Sequence, residues 1–121
     1  MTKTVLIVED NDLNLKLFED VLAAEGFSTL STTDGVSVVN IAREQRPDVI
    51  LMDIQLPEIS GLEATQRIKR EEEIADIPVI AITAHALPGD EHRIRAGGCA
   101  DYVAKPVLIG DLVNTVKRHL N

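Results

Sequence analysis

The segment V-I-L-M-D-I-Q-L-P-E-I-S-G, residues 49–61, holds most of the information about how this chain folds. Val49 to Met52 run apolar without alternation and end at Asp53. A strand with one wet face alternates apolar and polar residues, so a continuous run implies cover on both faces, as in a parallel sheet. Beyond Pro57, Ser60 and Glu63 stand three apart. That is capping-box spacing, in which the two side chains satisfy free backbone donors at a helix start. The segment reads as strand, acid, loop, helix.

The same texture recurs on either side. Val5 to Val8 and Val79 to Ile82 are continuous apolar runs, and further strands are expected near Thr29 and Tyr102. Between them lie amphipathic stretches. Leu15, Phe18 and Leu22, with Leu17 and Val21, form a stripe at helical spacing that Gly26 can end. A weaker stripe comprises Val36, Val39 and Ala42, with Asp34 as its candidate N-cap and Pro47 as its boundary. The third helix starts at Ser60, and its acidic end, residues 71–73, reads as solvated surface. Pro88 suits the first turn of a fourth helix that stops at Gly97 and Gly98. Leu108, Leu112, Val116 and Leu120 mark a fifth. Five short strands alternating with five helices predict an α/β fold built from right-handed crossovers.

Composition narrows the function. A chain of 121 residues supports one domain, here residues 1–121, with no output domain expected after the fifth helix. Hydrophobic residues make up 45%, enough for a core, so disorder is excluded. A net charge of −8 repels a phosphate backbone, and no Lys/Arg cluster overrides it locally, so nucleic acid is not an expected partner. Cys99 is alone, which rules out an intramolecular disulfide and fits a reducing, cytoplasmic setting. No apolar run has the length to cross a bilayer, so membrane insertion is not expected.

The candidate chemistry lies where strands end, since open parallel sheets bind ligands beyond the carboxyl ends of their strands. Glu9 and Asp10 close the first strand and Asp53 the third. Three carboxylates in one crevice repel one another unless a cation is present, and a hard divalent ion such as Mg2+ suits oxygen ligands. Acids at strand ends also cap helices or face solvent, so each alone says little. Thr83, closing the fourth strand, and Lys105, following the fifth, add a hydroxyl and an ammonium to the same rim. A phosphoryl group on a carboxylate nucleophile requires these parts: a metal, a lysine and a hydroxyl, one for each oxygen.

The motifs V-L-I-V-E-D at residues 5–10, I-L-M-D-I-Q-L-P-E-I-S-G at residues 50–61, Thr83-Ala84 and Lys105-Pro106 resemble the signature of the receiver domains of bacterial response regulators. The likeness spans essentially the whole chain. N-D-L-N-L-K-L-F and G-G-C-A-D-Y-V-A-K-P are most similar to single-domain regulators of cell division and polarity in alphaproteobacteria. The resemblance implies a CheY-like parallel sheet of order 2-1-3-4-5 flanked by five helices. It implies a two-component phosphorelay protein that is a phosphoacceptor switch rather than an enzyme, with Asp53 accepting a phosphoryl group. Asp10, Asp53 and the Gln55 main-chain carbonyl would contact magnesium, and Glu9 would help through water. Lys105 and Thr83 would hold the phosphoryl group, with Thr83 and Tyr102 forming the switch. Gln55 and His85 would tune dephosphorylation, and Lys105-Pro106 would be a cis peptide.

By the same resemblance, histidine kinases or phosphotransfer proteins would be phosphodonors and targets. The chain would be a monomer or weak dimer, cytoplasmic and recruited by kinases to cell poles. Two readings of other kinds remain: a receiver-fold interaction module independent of phosphorylation, and a magnesium-dependent aspartyl-phosphate phosphatase. The phosphatase reading lacks its usual second acid, since Gln55 occupies that position. A flavin carrier is disfavoured because Phe18, Phe27 and Tyr102 are the only aromatic rings and no Gly-rich phosphate cradle is present.

Overall fold

The computed structural model describes residues 2–84 and 88–120. Strands and helices alternate: β1 (Thr4–Val8), α1 (Asp12–Ala24), β2 (Ser28–Thr32), α2 (Val38–Gln45), β3 (Val49–Asp53), α3 (Gly61–Lys69), β4 (Val79–Thr83), α4 (Pro88–Ala96), β5 (Asp101–Ala104) and α5 (Ile109–Arg118). The strands form one parallel sheet of order β2-β1-β3-β4-β5, as the resemblance implied.

Successive side chains on a strand point to opposite faces, so each apolar run feeds two cores. Leu6, Val8, Ile50, Met52, Val79 and Ala81 pack with Val38 and Ala42 of α2, Ala64 and Ile68 of α3 and Ile94 of α4. On the other face Val5, Ile7, Val49, Leu51, Ile80, Ile82 and Val103 meet Phe18 and Leu22 of α1 and Leu112 and Val116 of α5. All five positions of β3 and of β4 are buried, which explains why neither run alternates. Each large aliphatic side chain so buried contributes about 1.5–3 kcal/mol.

Several local expectations need correction. Asp34 does not cap α2; its Oδ1 accepts from the Ser37 N–H at 2.8 Å, and the helix begins only at Val38. The inner face of α2 is therefore Val38 and Ala42, with Val39 and Ile41 half-buried against the same core, while Val36 is 46% exposed. Leu108 likewise sits one position ahead of α5 and is exposed, leaving Leu112 and Val116 to fill the core. Leu17 of the first stripe also stays 42% exposed, and residues 71–73 follow α3 rather than ending it, whereas the end of α1 and the start of α3 are as expected. Gly26 follows α1 at φ +92, and Ser60 Oγ accepts the Glu63 N–H at 3.1 Å. Glu63's own carboxylate pairs forward with Arg67 at 3.1 Å.

Candidate functional site

The order of the sheet places the ends of β1 and β3 side by side, with β4 and β5 next in line. Glu9 and Asp10 therefore meet Asp53, and carboxylate oxygens of the three lie within 4.8 Å of one another. Glu9 and Asp53 are each about 1% exposed, whereas Asp10 is open to solvent. Main-chain donors hold the buried pair in place. Gln55 N–H donates to Asp53 Oδ1 at 2.9 Å, and Asn11 N–H donates to Glu9 Oε2 at 3.1 Å. Lys105 Nζ, from just beyond β5, closes the cluster with a charged hydrogen bond to Asp53 Oδ2 at 3.0 Å.

Charge in this crevice is not balanced. Burial, followed by the neighbouring Asp53 carboxylate, pushes the Glu9 carboxyl up to about 7, against the opposing pull of the Asn11 N–H and Lys105. Glu9 Oε1 is buried and lacks a hydrogen-bond partner among the described residues. A buried, unpartnered carboxylate oxygen is costly, and a divalent cation bound by the acids would relieve both the vacant lone pair and the repulsion. The donors are all oxygens, which suits a hard ion such as magnesium.

The loop after Asp53 folds back tightly. Gly61 N–H donates to Ile54 O at 2.8 Å, and Ile59 N–H donates to Pro57 O at 2.8 Å around Glu58, whose φ is +68. Gly61 lies against the Asp53 backbone: an added Cβ would stand 2.1 Å from Asp53 O. Sequence reading placed Gly61 in the motif, but a backbone approach this close leaves no periodic trace. Asn11 stands in the N-D-L-N-L-K-L-F motif without a role assigned to it. Its side chain accepts the Asn14 N–H at 2.9 Å and so starts α1 directly below the rim.

Thr83 is buried at the end of β4, and its carbonyl accepts the Lys105 N–H at 2.8 Å, which fixes the backbones of the two residues side by side. The Lys105–Pro106 peptide is cis. Tyr102 is half-buried and packs against the core shared with α2, α3 and α4. Gln55 is exposed at the rim, and His85 lies outside the described residues. His119 Nε2 faces the buried Asp101 carboxylate at 3.1 Å.

The profile of the response regulator receiver domain matches residues 5–117. The chain belongs to the response regulator receiver family. This receiver is 54% identical over 120 residues, 99% of its length, to the polar-differentiation response regulator DivK of Brucella ovis, of which the match covers 98%. It is also similar to the receiver domain of the sensor histidine kinase PA1611 from Pseudomonas aeruginosa, at 37% identity and TM-score 0.90 over 99% of this chain and 98% of that one. That crystal structure holds a magnesium ion in its active-site cleft. The chemotaxis protein CheY4 of Vibrio cholerae shares the fold, with TM-score 0.93 at 23% identity over 99% of this receiver and all of that chain. As a receiver, the protein is a phosphoacceptor switch of two-component signalling rather than an enzyme with turnover.

Proposed function

We propose that this receiver accepts a phosphoryl group on Asp53 and signals through phosphorylation-dependent binding to partner proteins. The observation that carries the reading is the direct Lys105–Asp53 contact at 3.0 Å inside a cluster of three carboxylates. The acids would hold Mg2+ through Asp10, Asp53 and the Gln55 main-chain carbonyl, with Glu9 acting through water. When bound, the ion supplies positive charge for a phosphoryl oxygen and offsets the repulsion among the acids.

This chain's own residues do the rest. Asp53 Oδ1 is oriented by the Gln55 N–H, leaving the carboxylate as nucleophile toward the phosphorus of a phosphohistidine or acetyl phosphate. An Asp53 O–P bond forms as the donor's P–N or P–O bond breaks. Lys105 Nζ, already at the carboxylate, follows charge onto the phosphoryl oxygens, and the Thr83 hydroxyl takes another of them. The acyl phosphate carries roughly −1.5 to −2 of charge where the free carboxylate carried one negative charge, and its three acceptor oxygens draw Thr83 inward and let Tyr102 turn toward the space it leaves. Gln55 and His85 flank the approach of water and set how long the adduct lasts.

Apolar side chains beside this rim support kinases or phosphotransfer proteins as phosphodonors. Leu13 is 81% exposed on α1, and a groove of about 370 Å³ runs past Leu17, Lys105, Pro106 and Val107. The likeness to a polar-differentiation regulator supports a role in cell division and polarity, with kinases also serving as targets and recruiting the protein to cell poles. No helix among the described residues is long and apolar enough to cross a membrane.

Intact mass after incubation with acetyl phosphate, with and without magnesium, tests this reading. A magnesium-dependent, base-labile adduct is expected in the wild type and not in Asp53→Asn. An adduct that survives the substitution would sink the assignment.

A further inference from the structure

At the end of β5 remote from the acidic cluster, one carboxylate gathers groups from three elements. Asp101 is 9% exposed. Its Oδ2 accepts from Arg118 Nη1 at 2.9 Å and meets His119 Nε2 at 3.1 Å, both at the C-terminal end of α5. Its Oδ1 accepts the Tyr102 N–H at 2.9 Å and lies 3.7 Å from Arg95 Nη2 of α4. Arg95 is anchored in turn by Ala100 O at 2.8 Å and by Glu91 at 3.2 Å. Burial alone would raise the Asp101 carboxyl, yet the hydrogen bonds from His119 and the Tyr102 N–H, with the Arg118 charge, outweigh it and hold the group below the usual range.

An exposed ion pair contributes little because water competes for both partners. A shared, largely buried carboxylate is different, since withdrawing one donor leaves a desolvated charge partly unpaired. The arrangement that satisfies all these donors is therefore favoured over one that separates them. Asp101 also immediately precedes Tyr102, so a single group ties the strand position of the switch ring to α4 and to α5.

We propose that Asp101 is a positioning residue for the switch: its hub is closed in the arrangement in which Lys105 pairs with the free Asp53 carboxylate, and it opens as Tyr102 moves on phosphoryl acceptance. The inference rests on the roles proposed above for Asp53 and Tyr102. The hub's contacts belong to one arrangement, so their loss shifts the balance toward the other before any phosphodonor is added.

The chain has one tyrosine and no tryptophan, so its intrinsic fluorescence comes from Tyr102 alone. Tyrosine emission and intact mass would be followed together, before and after addition of magnesium and acetyl phosphate. The proteins compared are the wild type, Asp101→Asn, Arg118→Ala and Arg118→Lys. The Arg118 side chain is 63% exposed, so its truncation spares the core and keeps the test decisive where Asp101→Asn fails to fold.

In the wild type, emission should change as the adduct forms. In Asp101→Asn and Arg118→Ala, the starting emission should already lie at least about a third of the way to the phosphorylated value, a several-fold shift of a two-state ratio. The adduct should form at least as readily as in the wild type, and Arg118→Lys should return the starting emission toward the wild-type value. Wild-type emission before and after labelling in folded Arg118→Ala and Asp101→Asn, with the adduct formed, would overturn the hub's role and leave the switch intact. A wild-type adduct without any emission change would remove the Tyr102 reading and the hub with it. The absence of any wild-type adduct would count first against Asp53.

Discussion

Gly61 and Gly110 are both glycines within the first two positions of a helix, yet the structure assigns them opposite consequences. A Cβ on Gly61 would stand 2.1 Å from Asp53 O and 2.8 Å from Ile54 Cα, and neither backbone atom can rotate away. Gly61→Ala is therefore expected to cost about 1–3 kcal/mol in urea unfolding, as overpacking does. It should also slow labelling by acetyl phosphate, because the displaced backbone carries Asp53. Around Gly110 nothing lies within 4 Å of the corresponding position, and its φ is not among the positive ones. Gly110→Ala in α5 should stabilise by about 0.4–1 kcal/mol, mainly by restricting the unfolded chain. Equal midpoints for the two variants would show that the loop yields freely to the added methyl group.

Among the elements, the helix stripes test how far apolar spacing identifies the core. Leu108 and Leu112 are four apart and read alike in the sequence, but Leu108 is 64% exposed and Leu112 is fully buried. Leu112→Ala should cost about 2–5 kcal/mol, whereas Leu108→Ala should fall within about 0.5 kcal/mol of the wild type in chemical denaturation. A large loss for Leu108→Ala would place it in the core after all. Periodicity gives the phase of a stripe but not the residue at which the helix starts, so errors gather at the ends: Val36 and Asp34 before α2, Leu108 before α5. The strands were more legible, because Val49 to Met52 and Val79 to Ile82 are buried on both faces and their texture reports that directly. The acids at strand ends were legible for the same reason, since each follows a continuous apolar run. The Asp101 hub was not. Its partners lie 17 and 18 residues further along a different element, and only the packing of α5 against β5 brings them together.

For the whole molecule, the two displaced carboxyls pull the pH dependence of stability in opposite directions. Asp101 is held below its unfolded value of 3.8, so its contribution is present above that value and is lost as pH falls through the folded one. Glu9 is the reverse case. Its carboxyl rises from 4.5 to about 7 on folding, so the folded chain without a bound cation keeps a proton that the unfolded chain has released. That contribution is complete below 4.5, declines as pH rises toward about 7, and falls no further above it. A cation held by Asp10 and Asp53, with Glu9 reaching it through water, favours the ionised form of Glu9 and so competes with the proton, and its affinity should increase across the same window. Thermal melts should then show magnesium stabilising the protein strongly at about pH 8 and little at about pH 5, with binding releasing protons in between. Glu9→Gln removes the titrating group while keeping its shape, so the decline between pH 4.5 and about 7 should flatten in magnesium-free buffer. If magnesium instead raised the melting temperature equally at both pH values, the proton on Glu9 would not be in competition with the ion.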